Sequence, residues 1–529
     1  MAELRWGGSG DVGLADGWRA KTVYQPSRLY GANGLRAGLD GRIYVAQVAG
    51  SQVSAIDVST GIIEAVAQTG GPIVAPDDLA FDSLGNMFVT ELTEGRVSTL
   101  DTRGNYRVVQ SGMPCANPIT VYRDRIIAGE CRMGGRILEL DPKGGAARVI
   151  LDNVPMPNAC EVGPDGLLYI PVMGANEIWR VSLEGGEPQV VAKDLGVPDA
   201  VKFDSEGFIV STQVATGDVL RINPNTGEKT KLANIAPGLD NLTFVGSRLF
   251  VSSISGQINE ILSDGKVQSL VPDGFQWPMG LAIDSQGGLF IADGGYCHYG
   301  AKDSDRTCLG MLFSPGFPGF ARGVVAANPG EWVVTTANGQ VARYYPSEMR
   351  SEVICEGYDR LMGVDITTDG ALAFAEYGTG RVHVLRSGES EIVAHGLEQP
   401  SGVAWAGPAR LIVTDRSAGK LYSIEGSNIS TLIDDLGSPE GLAIYEDAVF
   451  FVDSQRKSLC RFDLASGDLE CIARDLPVGG PVGVEITQLG GVGDMAGPMT
   501  NFLGLAVDDA GAVFVSCDAI GTVMKFEPI

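Results

Sequence analysis

The stretch "PDAVKFDSEGFIVSTQVATGDVLRIN", residues 198–223, decides the fold. An apolar run ends at an Asp-Ser-Glu-Gly turn, a second run follows, and a Thr-Gly-Asp turn leads into a third, alternating strand. The same layout recurs in "PDDLAFDSLGNMFVTELTEGRVSTLD" from 76, "PMGLAIDSQGGLFIADGG" from 278, "PSGVAWAGPARLIVTDRSAGKLYSIE" from 400 and "PEGLAIYEDAVFFVDSQRKSLCRFD" from 439. A fourth strand such as "KVQSLV" or "SEIVAHG" then follows. Four short strands repeating every forty residues or so predict β-propeller blades in an all-β protein.

Strand starts near 32, 76, 116, 157, 198, 239, 278, 321, 361, 400, 439 and 502 give twelve four-stranded blades. They can form two six-bladed propellers in tandem, 1–273 and 274–529, or one large ring, and two rings fit common blade numbers. The last blade, "FLGLAVDDAGAVFVSCDAIGTVMKFEPI", stops after its third strand. The segment "AKTVYQ", residues 20–25, resembles the fourth strands elsewhere and is expected to complete it, covering an edge.

Composition fits this reading. Gly is frequent, 72 of 529 residues, as many tight turns require. Asp and Glu outnumber Lys and Arg by 65 to 39, a net charge of −26. That charge disfavours nucleic acid and anionic membrane surfaces and favours cations. No secretory signal and no bilayer-length apolar run is visible, so a cytoplasmic location is expected. The nine Cys sit mostly in apolar strands without a CxxC pair, which suits buried reduced thiols. Cys297 with Cys308, and Cys460 with Cys471, flank turns and could bridge in an oxidising compartment.

The residue after each blade's opening position lies where the innermost strand enters the channel. In the first six blades it is Asn33, Asp77, Asn117, Asn158, Asp199 and Asp240, the last four spaced 41 apart. In the second six it is Met279, Arg322, Met362, Ser401, Glu440 and Leu503. Asn and Asp also favour turns before strands, but that preference would mark both halves. Amide and carboxylate oxygens converging on one axis are what a hard divalent cation needs. Crowded carboxylates without one would resist ionisation.

With this register the first half resembles the SMP-30/gluconolactonase/LRE-like family of six-bladed calcium propellers. The resemblance implies metal ligands at inner-strand starts: Asn117, Asn158 and Asp199 match blades three, four and five, in "PNA" and "PDA" contexts. An early-blade Glu of the family is absent, and Asn33 stands in its place. The adjacent Asp240-Asn241 resembles a pair used near the metal of paraoxonase-like propellers. The implied cofactor is a divalent cation, calcium foremost, held by Asn33, Asn117, Asn158, Asp199 and Asp240. The implied activity is hydrolysis of a small-molecule lactone or ester, with a cation-activated water and a carboxylate base among Asp77, Asp78, Asp199 and Asp240. Related propellers also run lyase and condensation chemistry, and others only bind partners. A homo-oligomer is compatible with either class.

Histidine catalysis is not expected. His383 and His395 read as structural, whereas His298 lies in the polar stretch "GGYCHYGAKDSDRTC". This stretch reads as an insertion after the second strand of blade seven. A Gly-rich one, "PVGGPVGVEITQLGGVGDMAGPMTN", precedes blade twelve. Both would emerge at one end of the second ring, as a lid, a dimer contact or a shield.

Overall fold

The computed structural model describes Arg5 and residues 11–301, 305–479 and 502–529. It contains twelve four-stranded antiparallel sheets, one extended by a fifth strand, and no α-helix among the described residues. None of those residues forms a helix long and apolar enough to cross a membrane. Two compact units share the described residues: Arg28–Gln276, and those up to Ser27 together with the described residues of 277–479 and 502–529.

The turn chemistry of the opening stretch explains its strands. In "DSEG" the Asp204 Oδ1 accepts the amides of Glu206 and Phe208, and Gly207 closes the turn at φ +82. Asp82, Asp284 and Asp508 make the same bonds in blades two, seven and twelve. Alternate residues of the strands then meet between neighbouring blades. Ala159, Ala200, Val210, Val219, Leu242 and Val251 are one such buried cluster.

In the first unit the inner strands run Leu35–Ala37, Pro76–Phe81, Ala116–Tyr122, Glu161–Val162, Pro198–Phe203 and Leu239–Val245. Hydroxyls at the second strands stitch each of several blades to the next. Thr90 Oγ1 accepts the Asp78 amide and donates to the Asn117 carbonyl, at 2.9 and 2.8 Å. Thr212 reaches the Asp240 carbonyl in the same way. Ser252 Oγ donates to the Asn33 carbonyl at 2.7 Å, joining blade six to blade one. The ring therefore closes on itself at six blades.

The second unit repeats the hydroxyl stitch at Thr335 and Thr414 and adds a close approach of its backbones. Its inner strands, Pro278–Ile283, Ala321–Ala326, Leu361–Ile366, Pro400–Trp405, Pro439–Tyr445 and Leu505–Val507, carry or directly follow Gly280, Gly323, Gly363, Gly402, Gly441 and Gly504. A Cβ on any of them would come within 3 Å of a carbonyl of the next blade's register residue, and that of Gly504 would meet Met279 of blade seven. Six glycines thus let six backbones approach around one axis.

Blade twelve takes its outer strand from the N-terminal segment. Trp18–Thr22 pairs antiparallel with Thr522–Pro528, starting two residues earlier than the sequence suggests. Gly13–Leu14 adds to the edge of Leu469–Arg474 in blade eleven. Trp18 packs edge-on to Phe450, 6.4 Å between ring centroids.

Blade seven corrects one expectation. The stretch taken as an insertion supplies the third and fourth strands, Tyr296–Gly300 and Arg306–Met311, and the loop lies between them. In a propeller that loop emerges at the end opposite to the one expected. Polar residues and a Gly pair concealed a strand whose side chains pack between blades. The Gly-rich insertion before blade twelve lies, from residue 480 to 501, outside the described residues. All nine cysteines are free, including Cys460 and Cys471, which sit opposite one another in their strands.

Candidate functional site

The six Asn and Asp residues of the first register are all buried. Their side chains form a chain of contacts at the head of the inner strands. Asn33 Nδ2 donates to Asp240 Oδ2 at 3.1 Å, and Asn158 Nδ2 donates to Asp199 Oδ2 at 3.0 Å. The Asp199 and Asp240 carboxyls themselves lie in hydrogen-bonding contact. Burial drives Asp77, Asp199 and Asp240 well above the usual carboxylate range. Their mutual repulsion, and that of Asp78, pushes the same way.

Two of the amide oxygens each accept a backbone amide. Asn158 Oδ1 accepts the Ala159 amide at 2.8 Å, and Asn33 Oδ1 accepts the Val48 amide at 3.3 Å. A carbonyl oxygen has a second lone pair, so this engagement leaves each able to accept again or to coordinate a cation. Asn117 Oδ1 and Asp199 Oδ1 are buried with no hydrogen-bond partner. Two orphaned oxygens beside three repelling carboxyls fit a missing positive charge, and an all-oxygen set suits a hard cation. Among the described residues no group of three or more His, Cys, Asp and Glu side chains could hold an ion unaided. A cation here would therefore depend on the Asn117 and Asn158 amides beside Asp199, with Asn33 and Asp240 completing the set.

Three residues further along, in five of the six blades, lies a second polar layer that sequence reading missed. Glu161 Oε2 meets Arg36 Nη1 at 2.8 Å and Lys202 Nζ at 2.9 Å, while Thr120 Oγ1 donates to Glu161 Oε1 at 3.1 Å. Burial alone would raise Glu161, but Lys202 and Arg36 outweigh it and bring the carboxyl down to about 2. Asp78 links the layers: it accepts the Leu79 and Ile119 amides and Asn241 Nδ2, and it faces the charges of Arg36 and Lys202. The signal was available at register positions plus three, where Arg36, Thr120, Glu161, Lys202 and Thr243 replace the usual apolar residues.

In the second unit the register residues are buried too, but the chemistry differs. Met279, Met362 and Leu503 offer no oxygen. Glu440 accepts the Leu503 amide at 2.9 Å and stands 3.4 Å from Arg416 Nε. Burial lowers Arg322 to about 10. Between the ring glycines the channel narrows to a cavity of about 30 Å³. His298 is a buried strand residue stacked on Tyr296, 3.5 Å from Asp293 Oδ2, and His383 pairs with Glu376 at 2.9 Å. His395 is exposed.

Fold and first channel together define a β-propeller with an oxygen-lined axial site. Residues 14–255 match the model of the SMP-30/gluconolactonase/LRE-like region. A comparison with curated proteins gives no match. Similar solved structures include a streptogramin B lyase, 19% identical over 52% of this chain and 95% of that one, TM-score 0.39. A virginiamycin B lyase from Staphylococcus aureus is 16% identical over 52% and 96%, TM-score 0.38. A gluconolactonase from Xanthomonas campestris is 17% identical over 45% and 88%, TM-score 0.38.

Proposed function

We propose that the first propeller is a divalent-cation-dependent hydrolase that opens a lactone or ester at Asn117, Asn158, Asp199, Asn33 and Asp240. The observation that carries this reading is the ring of six buried Asn and Asp side chains, two of whose oxygens have no partner. The family match over residues 14–255 supports it. A bound calcium ion would supply Lewis acidity toward a carbonyl oxygen and toward water.

The chain's own residues divide the remaining work. Asn158 holds Asp199, and Asn33 holds Asp240, fixing both carboxyls through hydrogen bonds. Asp77 makes no side-chain hydrogen bond among the described residues and faces Asp240 and Asp78. Its carboxylate takes the proton of the attacking water and returns it to the departing alkoxide. Arg36, Glu161 and Lys202 fill the next layer with paired charges, so the reacting groups meet from one side only.

The test is metal analysis of purified protein, followed by a lactone and ester panel with and without chelator. Bound calcium and chelator-sensitive hydrolysis are expected. Metal-independent hydrolysis, or no hydrolysis by calcium-loaded protein, would overturn the reading.

A further inference from the structure

Apolar and sulfur-bearing side chains, poor partners for the hydroxyls of a polyol, recur beside the oxygen ring. In each of the first six blades the residue directly after the second strand is apolar or sulfur-bearing: Val48, Leu92, Cys131, Met173, Val214 and Ile254. At the same place the second unit carries Gly294, Ala337, Tyr377, Arg416, Ser454 and Asp518. The pattern therefore belongs to the half with the oxygens and is not a requirement of the fold.

A contact brings one of these side chains onto the ring, and a second lies near enough to feel its charges. Met173 Sδ lies 3.0 Å from Asn158 Nδ2. The Cys131 thiol is buried and feels the charges of Asp199, Asp77 and Asp240. Cys115, whose carbonyl accepts the Cys131 amide at 2.9 Å, is buried within reach of the Asp77 charge. Val214 is buried, and Val48, Leu92 and Ile254 are half-buried. Arg132, the one basic residue in these six loops, already pairs with Glu130 at 3.2 Å.

We infer that the molecule taken at the first channel carries an apolar body: the substrate is an alkyl- or aryl-substituted lactone or ester, not a polyhydroxylated sugar lactone. This deepens the hydrolase reading and rests on it. Each hydroxyl of a sugar lactone would leave water for thiol, thioether and hydrocarbon and lose its partners there. An alkyl chain gains from the same surface, and each buried methylene contributes. The carbonyl end alone needs the oxygen ring and what it binds.

The experiment measures kcat/KM of calcium-loaded protein for γ-butyrolactone, γ-hexalactone, γ-decalactone and glucono-1,5-lactone. It also measures calorimetric binding of unreactive 2-alkylcyclopentanones of matching chain lengths. The expected result is a kcat/KM that rises with chain length, with γ-decalactone at least about tenfold above glucono-1,5-lactone. Met173→Gln should flatten that rise, with its melting midpoint checking that the variant is folded. A flat series, or a preference for glucono-1,5-lactone, overturns the inference and leaves the hydrolase reading standing. If nothing is hydrolysed, the hydrolase reading falls. The ketones then decide alone: affinity that grows with chain length keeps the apolar occupant, and no binding removes it.

Discussion

The hydroxyl of Thr90 holds the backbone carbonyl of Asn117 at 2.8 Å, and its oxygen receives the Asp78 amide at 2.9 Å. One small side chain on blade two thus fixes the site residue of blade three. Thr414 makes the equivalent bonds in the second ring, from the Gly402 amide to the Glu440 carbonyl. Thr90→Val and Thr414→Val should each cost about 1–3 kcal/mol of stability, because both leave buried backbone groups without partners. Only Thr90→Val should also weaken calcium binding. Thermal melts with calcium titrations separate the two effects, and equal loss of affinity in both variants would count against an axial site in the first ring.

Asn158 and Asp199 act as a pair, so their variants should differ in degree. Asn158→Ala removes one oxygen and the amide that holds Asp199, and should weaken calcium binding roughly tenfold or more. Asp199→Asn also removes a formal negative charge and should weaken it further. Calorimetric titration of chelator-stripped protein measures both. Unchanged affinity in both would remove the cation from this channel.

Ring closure in the second unit depends on backbone proximity at its glycines. Gly441→Ala would press a Cβ onto the Leu503 carbonyl, and a backbone atom cannot step aside as a side-chain tip can. The expected cost is about 1–3 kcal/mol. Gly13→Ala, whose added Cβ would make only ordinary contacts, should stay within about 0.5 kcal/mol. Denaturant melts of the pair provide the comparison.

Asp365 gives the second unit a pH dependence. Burial raises its carboxyl to about 6, although the Trp405 and Ile366 amides pull it back. The folded state therefore binds this proton more tightly than the unfolded state does. Its stabilising contribution is complete below the ordinary value of 3.8 and is lost as pH rises through about 6. The loss amounts to about 3 kcal/mol. Between pH 4 and 7.5 the melting midpoint of Asp365→Asn should fall less than that of the natural protein. Parallel curves would mean that Asp365 titrates normally.

Blades were legible because turn chemistry and apolar runs repeat locally: Asp204 and Gly207 make their turn from residues within four positions. The channel register was legible for the same reason, since one offset from each blade start yields all six Asn and Asp residues. What escaped depends on partners far away in the chain. Glu161 is held by Arg36 and Lys202 through a ring closure that no local pattern displays. The second-ring glycines owe their place to carbonyls of the neighbouring blade, which are equally remote in sequence. Tyr296–Gly300 read as a loop because its polar side chains find room between blades. The side-chain amides of Asn33 and Asn158 turned toward carboxylates, an orientation decided by three crowded charges and not by the strand that carries them.

The strand Trp18–Thr22 is made long before its partner Thr522–Pro528, to which it pairs antiparallel. Between the two lies the whole of the unit Arg28–Gln276, which can seal its own ring with Ser252 and Asn33 while synthesis continues. Blade twelve has no such freedom. Its outer strand waits for Thr522–Pro528, so synthesis that stalls before them leaves blade twelve without this pairing. Until then Trp18–Thr22 has no strand to fasten to.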